Sequence, residues 1–275
     1  MLLLDSGGGF PQLNQDYRLS ARYLVRAMDQ MGYAAMNLGA SELYAGVDFL
    51  REVTSGVSFP LISSNLVRKD GQEPVWEKYV IVDVEGIKVG ILGVMPVDGW
   101  KHVNDPELSE NLEILSPQAV LETLVPTVGK EADVVILLSQ CDMNETTALV
   151  DAVKGIDFAV FPGRRVFGCS DDGSRQNETD LLQTGRYASL GFLQFSVDGT
   201  GKTQALSKKM IPLNTPVPAE NMMSEMFNEI KTLRSQTGIR SKDAQARAKS
   251  NLKLTPEEFF KQMQQEHPEA VLMME

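Results

Sequence analysis

Apolar residues recur along this chain with two periods, and the two take turns from the N-terminus to about residue 212. MLLLD (1–5) is a short apolar run with the character of a strand. YRLSARYLVRAMDQMGY (17–33) then spaces Leu19, Tyr23, Leu24, Met28 and Met31 at helical intervals, which predicts an amphipathic helix. AAMNLG (34–39) predicts a strand, and Ser41 stands where it can cap a turn or helix that packs Val47, Phe49, Leu50 and Val53 inward. FPLISSNLV (59–67) predicts one strand entered through Pro60, and EKYVIVDVEGIKVGILGVM (77–95) predicts two strands joined at Glu85-Gly86. SPQAVLETLVPTVGKEA (116–132) predicts a helix with Ser116 as its cap and Pro117 as its first residue, because a hydroxyl oxygen and a missing N–H both suit the orphan donors of a helix start. DVVILLSQ (133–140) is apolar almost throughout, the pattern of a strand buried on both faces. A helix over ETTALVDAV (145–153) and a strand over FAVFPG (158–163) follow. DLLQTGR (180–186), LGFLQFSVD (190–198) and QALSKKMIPL (204–213) predict a β-rich end with a turn at Asp198-Gly199. Alternation of this kind predicts an α/β fold.

Residues 214–275 change character. TPVPAE (215–220) marks a boundary, and three helical stretches follow at 220–238, 241–252 and 254–269, the last with Thr255 as cap and Pro256 in its first turn. The expected organisation is therefore one α/β domain over 1–213 and a helical extension over 214–275. The extension, from residue 217 onward, is the expected surface for a protein partner. Within it, Met222, Met223 and Met226 read as a packing face rather than a partner groove.

Charge and composition narrow the function. The net charge is −11 and the pI about 4.8, so a nucleic-acid or anionic-membrane surface, which needs clustered positive charge, is not expected. No apolar run approaches the length of a membrane-spanning helix. Histidine occurs only at His102 and His267, and cysteine only at Cys141 and Cys169, without a C-x-x-C pair or a haem-attachment motif. Nitrogen-rich metal chemistry has little to draw on. No G-x-S-x-G nucleophile turn is present, and the glycine-rich text at 6–9 lacks the Lys and Ser/Thr of a phosphate-binding loop.

Five segments in order carry a family likeness: LLLDSGGGF (2–10), GYAAMNLGASELYAG (32–46), FPLISSNLV (59–67) with IKVGILGVMP (87–96), ADVVILLSQCD (132–142) and GIDFAVFPGRRVF (155–167). Together they resemble the calcineurin-like metallophosphoesterases, in the 5′-nucleotidase/UDP-sugar hydrolase branch. The resemblance implies a sandwich of two mixed β-sheets flanked by helices, and two metals held by Asp, Asn and His. The family's first motif, an Asp-x-His strand, has no counterpart from Met1 onward, through loss of that strand or through where the sequence starts. The D-x-G-D motif reads Asp5-Ser6-Gly7-Gly8, with Gly8 in the metal-bridging place and Asp5 reading as a turn residue. The G-N-H-E motif reads Gly39-Ala40-Ser41-Glu42, so neither the ligand amide nor the general-acid imidazole is present, and Glu42 reads as a loop brace. Gln140 replaces the histidine of the fourth motif. Gly163-Arg164-Arg165-Val166 replaces the G-H-x-H of the fifth, and a guanidinium repels a divalent cation.

The resemblance therefore implies a catalytically inactive, nucleotidase-like pseudoenzyme with no metal and no cofactor, its vestigial positions being Gly8, Ala40, Ser41, Gln140, Arg164 and Val166. A competing expectation is a phosphoric ester hydrolase with an altered site, dependent on manganese or zinc. In it Arg164, Arg165, Gln140, Asp142 and Glu42 bind an anion and Glu42 or Asp142 serves as base. A third is a structural subunit docking to an envelope or redox partner such as a multihaem cytochrome. The resemblance also points to export to the periplasm. Because the loops after the fourth and fifth motifs rim one cleft in the family, it implies that Cys141 and Cys169 are near enough for a disulfide, against two unpaired thiols.

Overall fold

The computed structural model describes residues 1–11, 17–99, 103, 106–162, 175–184, 189–199, 201–212 and 221–236. The strands are β1 (Leu3–Asp5), β2 (Tyr33–Asn37), β3 (Leu61–Ile62), β4 (Leu66–Arg68), β5 (Tyr79–Val84), β6 (Ile87–Val94), β7 (Leu112–Ile114), β8 (Val134–Ser139), β9 (Phe158–Pro162), β10 (Arg175–Gln176), β11 (Thr179–Thr184), β12 (Ser189–Val197) and β13 (Thr203–Pro212). The helices are α1 (Tyr17–Gln30), α2 (Val47–Val53), α3 (Pro106–Asn111), α4 (Pro117–Val128), α5 (Met143–Ala152) and α6 (Asn221–Gln236).

Every residue of β8 is buried, and parity decides what each side chain meets. Val134, Ile136 and Leu138 face one apolar layer, while Val135 and Leu137 face another. Strand β8 is central in a six-stranded sheet of order β10-β11-β9-β8-β6-β5, in which β6, β8, β9 and β11 run parallel and β5 and β10 close the edges antiparallel. One face of this sheet is covered by Leu121, Val125 and Val128 of α4 and by Leu149 and Val150 of α5. The other face meets Leu4, Ala35 and Ile62 of a parallel sheet of order β1-β2-β3, together with Leu193, Phe195 and Val197 of the β12–β13 hairpin. Helices α1 and α2 pack Tyr17, Ala21, Val25, Phe49 and Leu50 against the far side of the small sheet. The result is a mixed α/β sandwich, sheet on sheet with helices outside.

Local chemistry sets several boundaries. Ser116 Oγ accepts from the Ala119 N–H, and Pro117 opens α4. Glu85 and Gly86, with φ of +56° and +90°, make the tight turn between β5 and β6. One expectation needs correction. FPLISSNLV is not one strand: it breaks into β3 and β4 because Ser63, Ser64 and Asn65 spend their polar groups elsewhere. Ser63 N–H donates to the Glu77 carbonyl, Ser64 N–H to the Gly93 carbonyl, and Asn65 Nδ2 to the carbonyls of Met95 and Leu115. The small sheet is purely parallel, and β4–β7 and β12–β13 stand as separate two-stranded pairs.

Helix α6 lays Met226, Ile230 and Leu233 on Leu19, Tyr23 and Ala27 of α1 and on Met31 just after it. Met226 is thus a packing residue. No helix among the described residues is long and apolar enough to cross a membrane. Residues 237–275, with the helices expected there, lie outside the described residues.

Candidate functional site

Parallel strands gather their carboxyl ends on one side of a sheet, and ligand crevices of α/β folds open there. Asn37, the last residue of β2, joins the two sheets at that level. Its Nδ2 lies 3.1 Å from the Ser6 carbonyl after β1, 3.1 Å from that of Val94 on β6 and 3.0 Å from that of Leu138 on β8. The side chain is fully buried.

Three positions singled out in the sequence meet beside it: Gly8 in the loop after β1, Gly39 with the 3₁₀ turn Ala40–Leu43, and Gln140 after β8. Gly7 and Gly8 have φ of +89° and +77°, a backbone that L side chains rarely adopt. Gln140 Nε2 donates to the carbonyls of Ser6 (2.7 Å) and Gly7 (2.6 Å). Its Oε1 lies against the two glycines, so that a Cβ on Gly8 would come within 3.0 Å of it and one on Gly39 within 2.9 Å. The amide fills the space that an acidic side chain at position 8 would enter.

Glu42 is fully buried and organises the same loops. Its Oε2 accepts from the N–H groups of Gly8 (3.0 Å) and Gly39 (2.8 Å), and its Oε1 from the N–H of Phe10 (2.9 Å) and from Ser41 Oγ (2.9 Å). The 3₁₀ turn is therefore capped by Gly39 and Glu42, and Ser41, expected as the cap, instead donates its hydroxyl to Glu42. Ala40 opens the turn and contributes neither a ligand oxygen nor an acid. Tyr17, first residue of α1, donates its hydroxyl to the Ser41 carbonyl at 2.6 Å.

Asp5 accepts from the Gly7 N–H at 2.7 Å. Burial, with the Glu42 carboxylate as a second cause, pushes its carboxyl up to about 6. From its ordinary value of 3.8 up to about 6 the folded chain holds a proton that the unfolded chain has released. The contribution to stability is therefore most favourable below that window and is lost as pH rises through it. Asp5→Asn keeps a carbonyl for Gly7 and removes the charge. Wild-type stability should fall relative to this variant between about pH 4 and pH 7 in urea unfolding; parallel pH curves for the two proteins would contradict the assignment.

Asp142, one of the candidate bases, is the N-cap of α5. Its Oδ1 accepts from the Glu145 N–H while Glu145 Oε2 accepts from the Asp142 N–H. Cys141 sits in the apolar layer under α4 and α5, where burial pushes its thiol up to about 12. Cys169, Arg164, Arg165 and Val166, and both histidines, lie outside the described residues. A shallow pocket of about 420 Å³ lined by Pro74, Trp76, Glu77, Lys78 and Tyr79 involves none of the residues marked in the sequence.

A two-metal centre needs convergent oxygen and imidazole ligands. Among the described residues no three His, Cys, Asp or Glu side chains form such a group. Gly8 has no side chain to offer, Gln140 turns its N–H groups onto carbonyl oxygens, and each Glu42 oxygen already accepts two hydrogen bonds. These residues do not fit a two-metal centre.

The fold is that of the calcineurin-like phosphoesterases. Sulfate thiohydrolase SoxB of Thermus thermophilus superposes with a TM-score of 0.71 at 18% identity, over 86% of this chain and 43% of that one. The calcineurin-like phosphoesterase YfkN of Bacillus subtilis superposes with a TM-score of 0.67 at 18% identity, over 87% of this chain and 85% of that one. In sequence the chain is a relative of the 5′-nucleotidases and UshA-like proteins. Protein UshA of Yersinia enterocolitica is 30% identical over 148 residues, which cover 52% of this chain and 26% of UshA. Other relatives are named as 5′-nucleotidases and cyclic-nucleotide phosphodiesterases. The chain spans about a quarter of the length of the first of these curated relatives. No protein-family model matches it.

Proposed function

We propose that this domain keeps the phosphoesterase scaffold for a binding or assembly role and does not hydrolyse phosphate esters. The observation that carries the reading is the Gln140 amide packed on Gly8, where a bridging carboxylate and its metals would otherwise stand. Metal-stabilised charge supplies several kcal/mol of the barrier reduction in two-metal hydrolysis, and no other described group replaces it. Glu42 is committed to four loop donors and Asp142 to a helix start, so neither is free to act as the base.

With manganese or zinc added, the purified chain should show no turnover of bis(p-nitrophenyl) phosphate or of nucleoside monophosphates above the buffer rate. The names of relatives, 5′-nucleotidases and a cyclic-nucleotide phosphodiesterase, favour the second reading, a phosphoric ester hydrolase, for which we propose manganese or zinc as the metal and Arg164 and Arg165 as the anion holders. Metal-dependent turnover that a chelator abolishes would establish that reading in place of the first.

A further inference from the structure

The loop Asp5–Phe10 contains three consecutive glycines, Gly7 to Gly9, and a segment of that composition is costly to hold in one conformation. Most of its bonds are to its own side of the sandwich: Asp5 takes the Gly7 N–H, and Glu42 takes those of Gly8 and Phe10. Gln140 comes from the far side. It follows the central strand of the six-stranded sheet, its own N–H is fixed to the Val94 carbonyl at 2.8 Å, and its side chain reaches 134 positions back along the chain. Ser139, beside it, is anchored to Thr146 of α5 at 2.9 Å, so the strand end that presents Gln140 is itself held.

We infer that Gln140 is the clasp that fastens the β1 loop to the end of β8, in the mechanical place a bridging ion would have, so that this junction closes without metal. The inference rests on the non-metal reading of the site and adds what replaced the ion. An amide suits the task in a way that the ionised carboxylate or an imidazole does not. One nitrogen carries two N–H donors, and two successive carbonyls, Ser6 and Gly7, face it. The opposite oxygen needs the close approach that Gly8 and Gly39 allow.

Gln140→Glu keeps the shape, removes both donors and sets a negative charge against two carbonyl oxygens. Gln140→Met keeps the volume without the charge, and serves if the first variant does not fold. Hydrogen exchange at the N–H groups of Gly7, Gly8 and Phe10 should quicken by about tenfold or more in either variant, while the β12–β13 hairpin exchanges as before. In the wild type, neither a chelator nor manganese should change exchange at these positions or the melting temperature. Unchanged loop exchange in the folded variants would overturn the inference, as would a chelator that loosens the wild-type loop as much as the substitutions do. Hydrolysis is read separately: turnover that a chelator abolishes sinks the proposed function and the clasp with it, whereas an unaltered loop in the variants, with no turnover, sinks the clasp alone.

Discussion

Glu42→Ala should lower the unfolding free energy by about 4 kcal/mol or more and the melting temperature by roughly 10 °C. The substitution strands the buried N–H groups of Phe10 and Gly39, together with the partly buried N–H of Gly8 and hydroxyl of Ser41. A buried donor left without a partner costs about 1–3 kcal/mol, and the four share one acceptor group, so the full sum will not be realised. Glu42→Gln sharpens the test. An NH₂ in place of Oε2 would face the N–H groups of Gly8 and Gly39, and one in place of Oε1 would face the N–H of Phe10, with only the Ser41 hydroxyl able to turn and accept. The near-isosteric amide should therefore destabilise nearly as much as alanine, in contrast to a site that needs only bulk. Thermal and urea unfolding of the two variants decide it, and a Glu42→Gln protein as stable as wild type would show that the carboxylate is not the organising group.

Gly93→Ala should cost about 3 kcal/mol, at the upper end of what one added methyl group does in a packed core. A Cβ there runs into Asn37 Oδ1, and it also comes within 3.1 Å of Ile62 Cγ1. Asn37 has little room to withdraw, because the two hydrogens on its Nδ2 are held among three carbonyls within 3.1 Å, on β1's loop, β6 and β8. Asn37 Oδ1 is buried and has no hydrogen-bond partner among the described residues, and it is this atom that the added methyl group would meet. Asn37→Ala removes the obstacle, so adding it to Gly93→Ala should cost less than the two losses summed, a coupling that urea unfolding of the double-mutant cycle measures. Strict additivity would mean that the methyl group strains something other than Asn37.

How much of this was legible in the sequence depends on how far each interaction reaches. The run VVILLS declared β8 as a strand buried on both faces because its neighbours on both sides are apolar layers that any such run would seek. Glu85-Gly86 and Ser116-Pro117 announced a turn and a helix start because the chemistry that sets them lies within three residues. Ser63 to Asn65 misled, since an apolar stretch with two serines and an asparagine still has the composition of a strand, and the partners that break it sit at Glu77, Gly93, Met95 and Leu115. Glu42 reads from its surroundings as a brace, but the four groups it holds come from positions 8, 10, 39 and 41, which only the closed loops bring together. Gln140 could be read as a lost ligand, not as the donor to two carbonyls near the N-terminus. Asn37 left one faint sign, a polar amide at the end of an apolar strand, and Asn65 another, an amide inside an apolar run.

The reach of Asn37 and Gln140 also has a consequence in time. The first three strands emerge from a ribosome well before β8, yet Asn37 finds one of its acceptors 101 positions later, and Ser6 waits for a donor 134 positions away. At about 5–20 residues per second, the N-terminal layer must stand for roughly 5–30 s with its inner face uncovered. During that interval the nascent chain presents Leu4, Ala35 and Ile62 to whatever is nearby, because the strand that completes their cover has not yet been made.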